Sequence, residues 1–108
     1  MQFTLSMDVH PPEAVITVGG ELDIFTTRQL RERLQDALDM GCLHVLVDVA
    51  GVSFVDASAM RVLLRFRTQL AEIGGSLRFI AWSPPFLRLC RITGLDSTFG
   101  LWSGPVPA

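Results

Sequence analysis

Leu43-His44-Val45-Leu46-Val47-Asp48-Val49, then Ala50-Gly51, then Val52-Ser53-Phe54-Val55-Asp56-Ala57-Ser58, is the stretch that decides the fold. Its first seven residues are mostly apolar and β-branched, the composition of a central strand buried on both faces. Ala50-Gly51 reads as a turn, and Val52–Val55 leads straight into Asp56. From about Ala57 to Ile73 the periodicity becomes helical. Ala59, Val62, Leu63, Phe66, Leu70 and Ile73 fall on one face at about 100° per residue. A strand that runs into an amphipathic helix with almost no loop is a building unit of α/β proteins.

Toward the N-terminus, Phe3 to Val9 alternates apolar and polar, as a half-buried strand does. His10-Pro11-Pro12-Glu13 interrupts it and Ala14–Val18 forms a second strand, so the pair is expected as a hairpin closed off by Gly19-Gly20. Thr26 and Gln29 have capping-box spacing, which places a helix start near residue 27. Leu30, Leu34, Ala37 and Leu38 line that helix, and Gly41 stops it.

Toward the C-terminus, Gly74-Gly75 ends the second helix and Leu77–Trp82 is another strand. Ser83-Pro84-Pro85 opens a third helix, with Ser as N-cap and Pro in the first turn. Phe86, Leu89, Cys90 and Thr93 form its inner face, and Gly94 ends it. Thr98–Trp102 is a candidate last strand, and residues 102–108 read as a tail. The expected architecture is one α/β domain over residues 1–108: a mixed four- to five-stranded sheet, an N-terminal hairpin and three to four helices mainly on one face.

Composition narrows the function. The 108 residues suffice for one domain, which at this size buries roughly 65% of its unfolded surface. Apolar residues make up 49% of the chain and mean hydropathy is +0.40, which implies a large core or apolar surface kept for a partner. Nine basic residues, all Arg, stand against eleven acidic ones, and the net charge is −2. That balance argues against phosphate-driven nucleic-acid binding. No signal peptide is recognised and no stretch approaches the ~20 apolar residues of a membrane span, so a cytoplasmic location is expected.

Motifs for catalysis are absent. His10 lies in the proline turn and His44 at a strand start, and neither is placed as in a nucleophile–base pair. No phosphate-cradling glycine loop, HExxH, GxSxG or DxDxDG occurs. Cys42 and Cys90 lack metal-ligand spacing and read as buried, reduced thiols. Asp23, Asp48 and Asp56 fall near strand ends, where carboxylates cap helices and turns more readily than they hold Mg²⁺. No catalytic residue, metal or cofactor is expected.

The Asp56-Ala57-Ser58 junction is the candidate site. Open α/β sheets bind ligands outside the carboxyl ends of their strands. A helix N-terminus there presents unpaired N–H groups and partial positive charge, able to stabilise a phosphate on a nearby Ser. The simpler alternative is that Asp56 or Ser58 only caps the helix. Met60 and Leu64 fall on a flank about 80–140° from the core stripe. They either present apolar surface to a partner or lie under a neighbouring helix.

Gly20-Glu21-Leu22-Asp23 followed by Thr26 and Leu30, Leu46 through Asp56, Gly74-Gly75-Ser76-Leu77, Ser83-Pro84-Pro85 and Thr93-Gly94-Leu95 together resemble the landmarks of STAS domains, in their order, over about residues 3–102. The resemblance implies a mixed sheet with helices chiefly on one face. It also implies a stand-alone anti-sigma factor antagonist, which binds a kinase-type anti-sigma factor, is phosphorylated on the first hydroxyl residue after the motif Asp, and is then released.

This chain departs from that pattern. Ala57 occupies the usual acceptor position, Ser58 carries the next hydroxyl, Ala59 stands for a Gly, and Arg61 stands where a small residue is common. The resemblance therefore implies an absent or altered phosphorylation switch, with Ser58 the remaining acceptor. Asp23, Asp56, Ala57, Ser58, Met60, Arg61 and Leu64 form the expected partner-binding surface. The partner implied is an anti-sigma factor of the histidine-kinase-like ATPase type, not nucleic acid or a membrane. The alternative is a STAS subunit docked on a transporter ATPase.

Overall fold

A computed structural model describes residues 2–101. Its elements are β1 (Phe3–His10), β2 (Glu13–Leu22), α1 (Ile24–Asp39), β3 (His44–Val55), α2 (Ala57–Glu72), β4 (Ser76–Trp82) and α3 (Pro84–Ile92). The sheet order is β1-β2-β3-β4. β1 and β2 form the antiparallel hairpin, while β2–β3 and β3–β4 are parallel. The expected mixed sheet with an N-terminal hairpin is thus present, with four strands and three helices among the described residues.

One continuous core joins the inward sheet face to all three helices. Ile16, Val18, Val45, Val47, Val49, Leu77 and Phe79 meet Leu30 and Leu34 of α1, Ala59, Leu63, Phe66 and Leu70 of α2, and Phe86 and Cys90 of α3. Phe79 anchors the far side: its ring centroid lies 5.2 Å from Phe86 and 4.9 Å from Phe99, both tilted. Such aromatic pairs add about 0.5–1.5 kcal/mol beyond their burial.

The structure corrects several expectations. β3 is fully buried on one face only: Val45, Val47 and Val49 are buried, while Leu46 and Asp48 on the other face are half-buried. Helices cover one side of the sheet and leave the other open, so the apolar run reflects a half-shielded outer face. Ala50-Gly51 does not turn the chain, and β3, 12 residues in all, runs straight through it.

Gly19-Gly20 does not end β2 either, because the strand runs to Leu22 through register shifts near both glycines. Gly20 has φ 85°, and a Cβ there would sit 1.8 Å from the Gln2 carbonyl oxygen. Glycine is required for that close, irregular passage. Ile73 is 56% exposed, since the helix has ended by then and the chain turns outward. Thr93 is likewise exposed. Residues 96–100 form turns instead of a fifth strand, and Trp102 and the expected tail lie outside the described residues. No helix among the described residues is long and apolar enough to cross a membrane.

Candidate partner-binding site

Parallel pairing of β2 and β3 sets two helix starts side by side. Leu22 and Val55 are partners in the register, and the Asp56 N–H donates to the Leu22 carbonyl at 3.2 Å. The next residue of each strand, Asp23 and Asp56, is the N-cap of α1 and of α2. Two sets of orphan helix N–H groups and two positive dipole ends therefore share one end of the sheet.

The α1 start lies earlier than the Thr26/Gln29 spacing predicts. The Asp23 carboxylate accepts from the N–H groups of Phe25 and Thr26, both at 2.9 Å, and the Asp23 N–H donates back to Thr26 Oγ1 at 2.9 Å. Thr26 is thus the N3 member of the capping box, its hydroxyl donating to the Glu21 carbonyl at 2.7 Å. Asp23 takes the cap because β2 ends at Leu22, and its carboxylate then accepts two N–H groups. These donors, the Thr26 N–H above all, hold the Asp23 carboxyl below its ordinary value of 3.8.

At the α2 start, Asp56 Oδ1 accepts from the Ser58 N–H at 2.9 Å and also from the Ser58 hydroxyl. Ser58 Oγ lies 3.4 Å from Thr27 Oγ1, and Thr27 is buried in α1. Ser58 is half-buried and turned inward, whereas Ala57, the first residue of α2, is exposed. Asp48 bonds the Ala50 N–H at 2.9 Å, so the three aspartates each serve a local turn or cap. Among the described residues no three His, Cys, Asp or Glu side chains converge.

The flank residues separate. Arg61 is exposed. Met60 is only 2% exposed, with its Sδ 3.6 Å from Cys90 Sγ of α3. Its assignment to the partner surface is therefore corrected: α3 covers it. Leu64 is half-buried and packs against the core, so only part of it faces outward. The Cys90 thiol is pushed up to about 12, first by burial and then by Asp96, so it stays protonated and unreactive.

An apolar rim that periodicity does not single out surrounds the junction. Ile24 is 66% exposed, Phe25 81% and Phe54 50%. Ile24 and Phe25 open α1, and Phe54 pairs with Glu21 across β3 and β2. The readable signal was local: once Asp23 is the cap, Phe25 falls roughly opposite the buried stripe of Thr27, Leu30, Leu34 and Ala37. A groove of about 370 Å³ runs from Ile24 and Ser58 to Arg31, Arg61, Val62, Arg65 and Phe66.

This combination of a mixed sheet, helices on one face and a capped β3–α2 junction defines a STAS-type binding domain. The STAS domain family model matches residues 4–105, and the chain belongs to that family. It is 25% identical to the anti-sigma F factor antagonist of Paenibacillus polymyxa over 109 residues, covering 100% of this chain and 93% of the relative. It is 30% identical to the anti-sigma-B factor antagonist of Staphylococcus epidermidis over 95 residues, covering 88% of each. The crystal structure of an anti-sigma factor antagonist from Mycobacterium paratuberculosis shares the fold at TM-score 0.81 and 23% identity, over 95% of this chain and 87% of that one.

Proposed function

We propose that this chain is a non-enzymatic, cytoplasmic anti-sigma factor antagonist that binds a kinase-type anti-sigma factor and is not released by phosphorylation. The observation that carries the proposal is the geometry at the head of α2. The exposed first position is Ala57, whose side chain has no oxygen, and the only nearby serine hydroxyl on α2 donates to Asp56 and faces Thr27. A partner that seats on this end meets Asp23, Asp56, Ala57 and Arg61, rimmed by Ile24, Phe25 and Phe54. Exposed aromatic and aliphatic anchors with a polar centre suit a protein partner. The named relatives favour this regulator over a transporter subunit.

Binding to the purified histidine-kinase-like anti-sigma factor of the same cell, measured by calorimetry with and without ATP, tests the proposal. A complex of unchanged affinity after incubation with ATP is expected. Absence of any complex overturns the function, and dissociation accompanied by a phosphate on Ser58 overturns the loss of the switch.

A further inference from the structure

The groove between α1 and α2 is basic on a chain that is acidic overall. Beyond its upper part it continues into a second hollow of about 270 Å³ lined by Arg31, Glu32, Gln35, Arg65, Phe66 and Gln69. The two hollows share Arg31, Arg65 and Phe66, so they adjoin each other and together make the channel. From Ser58 to Gln69 it follows α2 for roughly 16 Å, about three helical turns at 1.5 Å per residue.

Three guanidinium groups line this channel: Arg31 from α1, and Arg61 with Arg65 one turn apart on α2. All three are exposed and none has an ion pair among the described residues, where the one salt bridge joins Arg33 to Asp36. Glu32 is the single carboxylate in the lining. Like charges at i,i+4 repel by a few tenths of a kcal/mol in isolation, so an anion between them relieves a standing cost. Ile24, 66% exposed, gives the channel an apolar mouth, and the narrow exposed edges of Val62 and Phe66 lie at its bottom. Guanidinium groups grip carboxylates through paired N–H donors.

We infer that this channel docks an acidic amphipathic helix of the partner protein, its carboxylates on Arg31, Arg61 and Arg65 and its apolar residues on Ile24 at the mouth. The inference rests on the partner-binding reading above and specifies the kind of segment that reading requires. A small anion satisfies the arginines but leaves Ile24 exposed. A nucleic acid strand does not fit a chain whose net charge is −2.

The probe is a synthetic three-turn helical peptide with Glu at i,i+4 and Leu on the intervening face, followed by fluorescence anisotropy on the full chain. Saturable binding that weakens at least tenfold in Arg61→Glu/Arg65→Glu, and falls with added salt, is expected. A matched Lys peptide binding as well as the Glu peptide, or a single-stranded oligonucleotide binding more tightly than either, overturns the inference. Circular dichroism melts of the variant confirm that it folds; Arg61→Gln/Arg65→Gln replaces it if it does not. The same charge reversals are then measured against the anti-sigma factor. An intact complex unaffected by them removes the channel and leaves the antagonist reading standing, whereas peptide binding with no anti-sigma complex removes the antagonist reading alone.

Discussion

Ser58 Oγ sits 3.4 Å from Thr27 Oγ1, so the first turn of α2 rests against the buried side of α1 through a pair of hydroxyls. The serine nearest the expected acceptor position is thereby part of the packing between two helices, whereas Ala57 is exposed.

Replacing Ala57 with Ser restores an exposed hydroxyl at that first position. Ala57→Ser is expected to accept one phosphate from the kinase-type anti-sigma factor with ATP, read by intact mass, while the native chain accepts none. Ala57→Ser/Ser58→Ala still takes it up. The helix loses only a few tenths of a kcal/mol from the exchange.

Asp56→Ala removes the α2 cap and leaves the Ser58 N–H without its acceptor. A loss of about 1 kcal/mol is expected, seen as a fall in Tm of about 4 °C or more. Asp56→Asn retains an oxygen acceptor and loses less.

Acid weakens α1 through Asp23. The folded-state carboxyl titrates below the unfolded value of 3.8, so its contribution is present above that pH and is lost as pH falls through the lower, folded value. Urea midpoints measured from neutrality downward are expected to drop over this window in the native chain. In Asp23→Asn the corresponding part of the drop is absent.

Met60 separates core from surface. Met60→Ala opens space beneath α3 and costs about 2–4 kcal/mol of stability, whereas Met60→Leu costs less than about 1.5 kcal/mol. Partner affinity of the folded Met60→Leu variant equals that of the native chain. A tenfold loss of affinity with unchanged stability places Met60 at the interface instead.

Gly20→Ala places a side chain at φ 85° and 1.8 Å from the Gln2 carbonyl oxygen. A loss of more than about 1 kcal/mol is expected, with faster amide exchange along β1. Gly51→Ala, whose Cβ meets Gly19 Cα at 3.4 Å, asks for far less adjustment.

The order of elements was legible because periodicity reports burial. The α2 stripe from Ala59 to Leu70 and the alternation of Phe3 to Val9 needed no tertiary information. What the sequence concealed depends on neighbours. Met60 and Leu64 lie on the same helical flank, yet only Met60 is sealed, because α3 crosses above it. Gly19-Gly20 has the composition of a turn, and only the approach of Gln2 and Thr4 reveals a strand that needs glycine. Thr26 and Asp23 both have cap chemistry, and the end of β2 at Leu22 decides between them. The arginine channel joins residues from two helices that no local pattern relates.

On the proposed reading that phosphorylation does not release this chain, Ala57 has a consequence for control. A covalent mark keeps a record of a past signal until an enzyme erases it. A surface that cannot carry the mark keeps no record, and its occupancy at each moment follows from how many copies of each protein the cell holds. Regulation then moves to synthesis and turnover, and the response becomes a titration with a threshold where the two copy numbers cross.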